Sequence, residues 1–446
     1  MKVYEKVYNY YIKQIENGDL PAASRMPSLR ECESTLGVSR TSAETAYMQL
    51  AADGYIYSVE KVGFFVTDIV MRNEDLKSDR EVKASEGPKD YLYDLATIGE
   101  DKEVSCLLLW RRYMKSALRQ EDRLLSYAEN QGEQDLRTEI ASYVRKNRNI
   151  ICNPQDIVIG AGFQTLLSIL IALIPGEKSI SFPTRDFSDA AATFADAGFQ
   201  VNYRDKSSHI IYVTPSYMTK WGQVMTVKRR HELIDHARKD GHLLIEDDYQ
   251  NEFVFDNKPT PSLYAMTGGE DIAFLGSFSR VLLPSVRISY LILPKGVRGE
   301  YERIKNNYNQ TASKAEQIAL TQFLRDGHMN RHIKKLKRCY EGKRDVMFAD
   351  LIDLFGGKKQ KNSGANRDQV ITIADYDKPS VYMGESGMEI GLYLPGEDMG
   401  SRLAKSRVKT NILYEWDKGV FLLLSSSKIP LEDINQSLEC LKEDIS

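Results

Sequence analysis

Six short runs of β-branched and aliphatic residues punctuate the middle of this chain: IVIG (157–160), SISF (179–182), HIIYVT (209–214), HLLIED (242–247), IAFLGS (272–277) and SYLILP (289–294). Helical patterns separate them. Strands that are apolar along their whole length must be buried on both faces, which requires helices above and below, so the pattern predicts an α/β fold with a mostly parallel sheet. The apolar run from Ile157 to Ile174 approaches membrane length, but Gly160, Gly162, Gln164, Thr165 and Ser168 interrupt it and Pro175-Gly176 ends it. A buried strand, a glycine turn and a core helix are expected there, not a membrane span.

A chain of 446 residues is long enough for roughly two or three domains. From about Asp68 to Asp90 it is charged, nearly free of large apolar residues and contains Gly87-Pro88, the texture of an exposed linker. The expected division is therefore 1–67, a flexible linker at 68–91, and 92–446 with a smaller α+β subdomain from about 326. The basic segment RHIKKLKRCYEGKRD (331–345) is expected to be a solvated helix face in preference to a nucleic-acid patch. A net charge of -3 gives no global attraction to DNA or membrane, so any DNA binding must be local. Cys32, Cys106, Cys152, Cys339 and Cys440 form no C-x-x-C pair and have no histidine at ligand spacing, which predicts reduced thiols in a cytoplasmic protein and no metal site. The N-terminal MKVYEKVYNYYIKQI lacks the apolar core of a secretion signal.

The stretch PSLRECESTLGVSRTSAETAYMQL reads as two short helices joined by a turn. Pro27-Ser28 caps the first, whose apolar positions are Leu29, Cys32 and Leu36, and Gly37 ends it. Ser39 caps the second, with Ala43, Ala46, Tyr47 and Leu50 as its inner face. A helix-turn-helix places the start of its second helix in the major groove, putting Arg40, Thr41 and Ser42 at the base edges beside the cap Ser39. Arg30 faces the DNA backbone or a base, and the hairpin YIYSVEKVGFFV supplies a wing with Lys61 and Gly63 at its tip.

Residues 3–67 closely resemble the winged helix-turn-helix of GntR-type bacterial regulators. The matching residues, in order, are Gly18, Leu20, Pro21, Pro27, Ser28, Arg30, Leu36, Gly37, Val38, Ser39, Arg40, Gly54 and Ile56. Seven Lys or Arg stand against nine Asp or Glu in residues 1–70, and Ser42 replaces a usual threonine. One copy should therefore bind weakly, and a homodimer reading paired half-sites on double-stranded DNA is expected.

Farther on, IVIGAGFQTLL is a strand, a glycine turn and a helix start whose amides from Ala161 to Gln164, hence Gly162, Phe163 and Gln164, suit a phosphate. Asp247, Asp248 and Tyr249 end a strand, while Ser277, Ser279 and Arg287 are phosphate partners by type. Together with LSYAENQGEQDLR (125–137), YVTPS, EDDYQNEF and GSFSR, these segments make residues 92–446 similar to the MocR subgroup of GntR regulators, in which a fold-type I aminotransferase-like domain senses an effector. The resemblance implies that Tyr127 reaches the phosphate of the partner subunit, Asp247 faces the pyridine nitrogen of pyridoxal phosphate, Tyr249 its ring oxygen and Arg287 its phosphate.

Departures from that pattern decide the expected chemistry. Where the motif carries the Schiff-base lysine this chain has Arg280, and a guanidinium stays protonated and forms no Schiff base. The stacking aromatic is replaced by Pro183-Thr184-Arg185, the P-T-G turn by Lys220-Trp221-Gly222, the motif histidine by Tyr217 and the carboxylate-binding arginine by Leu423. The chain is therefore expected to be a DNA-binding regulator that senses a small anion without transamination and holds no covalent pyridoxal phosphate. The ligand is either noncovalent pyridoxal phosphate or another phosphate or carboxylate gripped by Arg280 and Arg185. The alternative is a working aminotransferase with an accessory DNA-binding domain.

Overall fold

The computed structural model describes residues 3–17, 19–21, 24–52, 55–59, 63–66, 91–99, 101, 104–183, 187–218, 222–249, 251–255, 260–356, 358–359, 377–384, 386–416 and 418–446. The expected linker, apart from Tyr91, and the site candidates Lys61 and Arg185 lie outside the described residues, as do Lys220 and Trp221. The chain divides into two compact units, Met1–Asp90 and Tyr91–Ser446.

The first unit contains α1 (Val3–Glu16), α2 (Leu29–Leu36), α3 (Arg40–Ala52) and an antiparallel hairpin of β1 (Ile56–Val59) and β2 (Gly63–Val66). Helix α2 begins with a capping box: Ser28 Oγ accepts from Glu31 N at 3.2 Å and Glu31 Oε2 accepts from Ser28 N at 2.7 Å. It ends on Gly37, whose left-handed φ of 64° needs no side chain and starts the turn into α3. Ala43, Ala46, Tyr47 and Leu50, at helical spacing, are fully buried against Val7, Tyr11 and Cys32. Tyr47 crosses this core to donate to Pro27 O at 2.8 Å, tying α3 to the start of α2.

The second unit holds a seven-stranded sheet in the order β4-β10-β9-β8-β7-β5-β6: β4 (Ile157–Gly160), β5 (Ser179–Phe182), β6 (Gln200–Tyr203), β7 (Ile210–Val213), β8 (Leu243–Asp247), β9 (Ile272–Ser277) and β10 (Ser289–Ile292). All six apolar runs are strands of this sheet. Only β10 runs antiparallel to its neighbours. The sequence pattern misses β6, an edge strand of exposed and half-buried residues that presents no continuous apolar run. Separate apolar clusters cover the sheet faces, one including Ile157, Ile159, Leu244 and Phe274, the other Val158, Leu170, Ile245 and Leu291.

A second sheet, ordered β11-β12-β13-β16-β15, comprises β11 (Lys358–Lys359), β12 (Ser380–Tyr382), β13 (Glu389–Pro395), β15 (Asn411–Trp416) and β16 (Gly419–Ser425). It packs with helices His328–Phe355 and Ile434–Ile445 around Leu351, Ile390, Leu422 and Leu438. The smaller subdomain also includes the first residues of the unit. β3 (Tyr93–Asp94) pairs in parallel with β14 (Val408–Lys409), and Leu95 O accepts from Ser425 N at 2.8 Å.

The basic helix is solvated along one face, where Arg331, Lys334, Lys335 and Arg338 are exposed, and is core along the other. Lys343 is buried and pairs with Asp101 at 2.5 Å, Arg344 lies 4.4 Å over the Phe255 ring, and Lys337 donates to Val254 O at 2.8 Å. Long cationic side chains bury their stems while the charged heads find partners, which allows one face of a basic helix to be core. Among the described residues no helix is long and apolar enough to cross a membrane.

Candidate functional site

In the first unit, Arg30 and Glu33 to Ser34 flank the turn, and Arg40, Thr41, Glu44 and Thr45 line the outer face of α3, with Arg30, Arg40 and Thr41 exposed. Ser39 and Ser42 are committed to the helix start: Ser39 Oγ accepts from Ser42 N at 3.3 Å, and the two hydroxyls are 3.0 Å apart. These bonds claim the Ser42 hydroxyl along with the cap Ser39, so of the three residues expected at base edges Arg40 and Thr41 keep outward side chains. Gly63 opens the second wing strand, and a Cβ there would lie 3.4 Å from Arg25 Nε. Sequence reasoning did not single out Arg25, which brings a cation beside Gly63 at the turn end of the wing.

In the second unit the sheet gathers its polar candidates at one edge. β4, β5, β7, β8 and β9 run in the same direction, and the segments leaving their C-terminal ends carry Gly160–Gln164, Thr214–Tyr217, Asp247–Tyr249 and Ser277–Arg280. Arg287 lies just before the antiparallel β10, hence at the same edge. Open α/β sheets bind ligands at this edge because the loops diverge and helix N-termini converge on it.

The helix Phe163–Leu173 starts on Gly162 (φ 95°) with no side-chain cap, and a Cβ on Gly162 would lie 3.0 Å from Arg287 Nη2. Unsatisfied first-turn amides under a guanidinium form an anion seat. The expected cradle from Ala161 to Gln164 is narrower than that, because Ala161 N donates to Thr311 Oγ1 at 2.9 Å and Gly162 N to Gly160 O at 3.0 Å. The amides available are those of Phe163, Gln164 and Thr165. Ser279 Oγ donates to Val286 O at 3.0 Å, and Ser277 Oγ accepts from Ser289 Oγ at 3.1 Å and Ser279 N at 3.3 Å, so these hydroxyls also brace the loop that carries Arg280.

Arg280 itself is half-buried, and its Nη1 is shut off from water with no hydrogen-bond partner. Beside it the Tyr217 hydroxyl hydrogen-bonds to Glu389, which projects from β13 of the smaller subdomain and is 4 % exposed. Burial pushes the Tyr217 phenol well above its ordinary value and the Glu389 charge adds to this, while Arg280 pulls the other way. Tyr217 is therefore a protonated donor at neutral pH. Its ring meets Tyr249 edge-on at 5.9 Å. At the end of β8 the Tyr212 hydroxyl donates to Asp247 in a short bond, and burial followed by the Asp247 charge raises that phenol as well. Tyr127 is fully exposed, 101 % by relative area, and within its own chain Lys314 Nζ donates to its backbone oxygen at 3.0 Å.

Strand alternation separates the carboxylates of the EDDY segment. Glu246 and Asp248 point away from Asp247 into the core. There Glu246 accepts from Leu263 N and Tyr264 N, both at 2.9 Å, while Asp248 accepts from Ser216 Oγ at 2.6 Å and pairs with Arg148. Asp248 is thus a structural ion, not a ring contact. Leu423 lies among Tyr382, Tyr393 and Phe421, an apolar cluster on the small sheet.

Comparisons with known proteins agree with both units. Residues 3–66 match the family described as bacterial regulatory proteins, gntR family, and residues 106–366 match aminotransferase class I and II. The chain is 30% identical over 361 residues to the uncharacterized HTH-type transcriptional regulator YdeL of Bacillus subtilis (strain 168), covering 77% of this chain and 78% of that protein. It is 25% identical to the probable rhizopine catabolism regulatory protein MocR of Rhizobium meliloti, covering 78% and 76%. An archaeal alanine:glyoxylate aminotransferase superposes with a TM-score of 0.66 at 20% identity over 84% of this chain and 94% of that one, which establishes the fold. The chain belongs to the GntR family of bacterial transcriptional regulators, in its MocR subgroup, with an aminotransferase class I and II domain behind the winged helix-turn-helix.

Proposed function

We propose that this regulator uses its aminotransferase-like unit as a noncatalytic receptor for a small anion, and that occupancy of the receptor alters how the winged units engage operator DNA. One observation carries the reading. Arg280, which the GSFSR motif aligns with the Schiff-base lysine of the family pattern, keeps a buried Nη1 without a partner. An unpaired buried donor on a cation costs more than an ordinary missing bond, and a carboxylate or phosphate oxygen is the partner that relieves it.

The surrounding groups fit an anion better than a covalently held cofactor. Arg287 above the Phe163–Leu173 helix start suits a phosphate or carboxylate, but a guanidinium cannot condense with an aldehyde. Pyridoxal phosphate, if bound, would be held without a covalent bond by Arg287, the helix start and Asp247, and its electron-sink chemistry would have no amine to attach it. The test is intact mass after incubation with pyridoxal phosphate and borohydride reduction. No added mass is expected, and a fixed adduct would end the noncatalytic reading.

Two chains are proposed to pair through these units, which supports weak single contacts on DNA by reading two half-sites. Tyr127, exposed on its own chain, is the residue proposed to cross to the neighbouring pocket. Footprints of the operator with and without a pocket ligand should differ. Identical footprints with every ligand that binds would show that the pocket does not govern DNA.

A further inference from the structure

At the opposite edge of the seven-stranded sheet, the N-terminal ends of β7 and β8, the fold assembles a second polar cluster. The helix Val227–Asp240 carries His236 and Asp240 on its last turn, one helical turn apart on the same face. Gly241, left-handed at φ 70°, then reverses the chain and places His242 beside them just before β8. His236 Nδ1 is 3.0 Å from Asp240 Oδ2, His242 Nε2 is 4.0 Å from the same oxygen, and the two imidazole rings are 5.2 Å apart. The three ligand atoms all lie within 4.8 Å of one another. Ligands on a tetrahedral zinc ion stand roughly 3.4 Å apart, so the present spacings straddle the required one.

The hydrogen-bond geometry of the cluster points to a cation. His236 Nε2 is 3.0 Å from Lys206 O, which can only accept, so Nε2 carries a hydrogen and Nδ1 is the ring nitrogen that faces the Asp240 carboxylate. An unprotonated Nδ1 sets a lone pair against that carboxylate and needs a cation between them. A proton on Nδ1 would serve these two residues but not the third: His242 is 7 % exposed, its Nδ1 is sealed from water without a partner, and its Nε2 stands 4.0 Å from Asp240 Oδ2, beyond hydrogen-bond reach. A metal ion serves all three. An imidazole whose far nitrogen donates to a backbone carbonyl is also the usual outer support of a metal-bound histidine.

We infer that His236, Asp240 and His242 form a binding site for a divalent transition metal of the zinc class, separate from the anion pocket. Two imidazoles and one carboxylate are a borderline donor set that suits Zn2+, Ni2+ or Cu2+ and does not suit Mg2+ or Ca2+. Water completes the coordination. The site pins the last turn of the helix Val227–Asp240 to the start of β8. The expectation of no metal site rested on cysteine spacing and did not weigh the HARKDGH segment (236–242).

The test uses the full-length chain after chelation and exchange into metal-free buffer. Titration with Zn2+ should show one site per chain, and Zn2+ should raise the thermal midpoint. A His236→Gln, Asp240→Asn double variant, both positions reaching solvent, should bind at least tenfold more weakly and lose the thermal gain. Visible absorption with Co2+ should report nitrogen and oxygen ligation in the parent chain and be absent from the variant. Undiminished binding in the double variant would place the metal on other groups, such as the cysteines, and overturn the assignment. Absence of Zn2+, Ni2+ and Cu2+ binding to the parent chain would overturn it equally.

Discussion

Arg148 Nη2 lies 2.5 Å from Asp248 Oδ2, with only 4% and 2% of the two side chains in water. The pair anchors the segment that follows β8 beneath the pocket, since Asp248 also accepts from Ser216 Oγ at 2.6 Å on the neighbouring strand's loop. Removing one partner strands a charge in a medium that cannot solvate it. Arg148→Met should destabilise the second unit by ~3–5 kcal/mol, read as a lower urea midpoint. Adding Asp248→Asn should restore most of the loss, because what hurts is the leftover charge, not the missing attraction. A double variant no more stable than the single one would contradict this account.

Glu252 gives the fold a slope with pH. Burial, reinforced by the Asp248 charge, pushes its carboxyl from the ordinary 4.5 up to about 7, although Tyr143 donates to it at 2.9 Å. A carboxyl raised in the folded state stabilises the fold while it stays protonated. That contribution is complete below 4.5 and disappears as pH rises through about 7. Between about pH 5 and about pH 8 the thermal midpoint of the parent should fall more than that of Glu252→Gln. Parallel pH profiles would remove Glu252 as the cause.

Arg287 and Arg280 should contribute differently to ligand binding. If the helix start under Arg287 seats the anion, Arg287→Ala should weaken a phosphate-bearing ligand by about one to two orders of magnitude, measured by calorimetry. Arg280→Lys supplies a primary amine in the same place, and borohydride reduction with pyridoxal phosphate should then fix mass on the variant where the parent gains none. A variant that binds the vitamer and still forms no adduct would mean that position 280 does not face its aldehyde.

On DNA, Arg40 is the outward guanidinium at the start of α3. Arg40→Ala should cost ~1–3 kcal/mol of specific binding and relax preference at one base. Arg30→Ala should weaken binding evenly across sequences and flatten the salt dependence. Electrophoretic titration at two salt concentrations separates the two effects, and unchanged operator affinity in Arg40→Ala would move the reading helix elsewhere.

The sequence made the frame legible wherever burial was complete. Six strands of the large sheet, the edge strand β4 among them, are buried along their length because helices cover both faces, and α3 shows its inner face as Ala43, Ala46, Tyr47 and Leu50. Edge strand β6, half in water, gave no such signal. Within the pocket, single-residue identities at Arg280 and Arg287 were readable, but the Tyr217–Glu389 contact joins segments far apart in the chain and has no local pattern. The inward turn of Asp248 follows from strand alternation once Asp247 is assigned outward. The clustering of His236, Asp240 and His242 depends on a left-handed glycine that reverses the chain, which composition does not reveal.

Tyr93 and Asp94, the first strand after the connecting segment, are sewn to Val408 and Lys409, and Leu92 N donates to Arg407 O at 2.8 Å. The beginning of the second unit is therefore fastened to the smaller lobe. A swing of that lobe by a few degrees would carry the fastening point with it, whereas a rearrangement confined to the seven-stranded sheet would leave it where it was. Glu389, like Ser386 one of the residues through which the smaller lobe meets the Thr214–Tyr217 segment, lies on the body that holds this point.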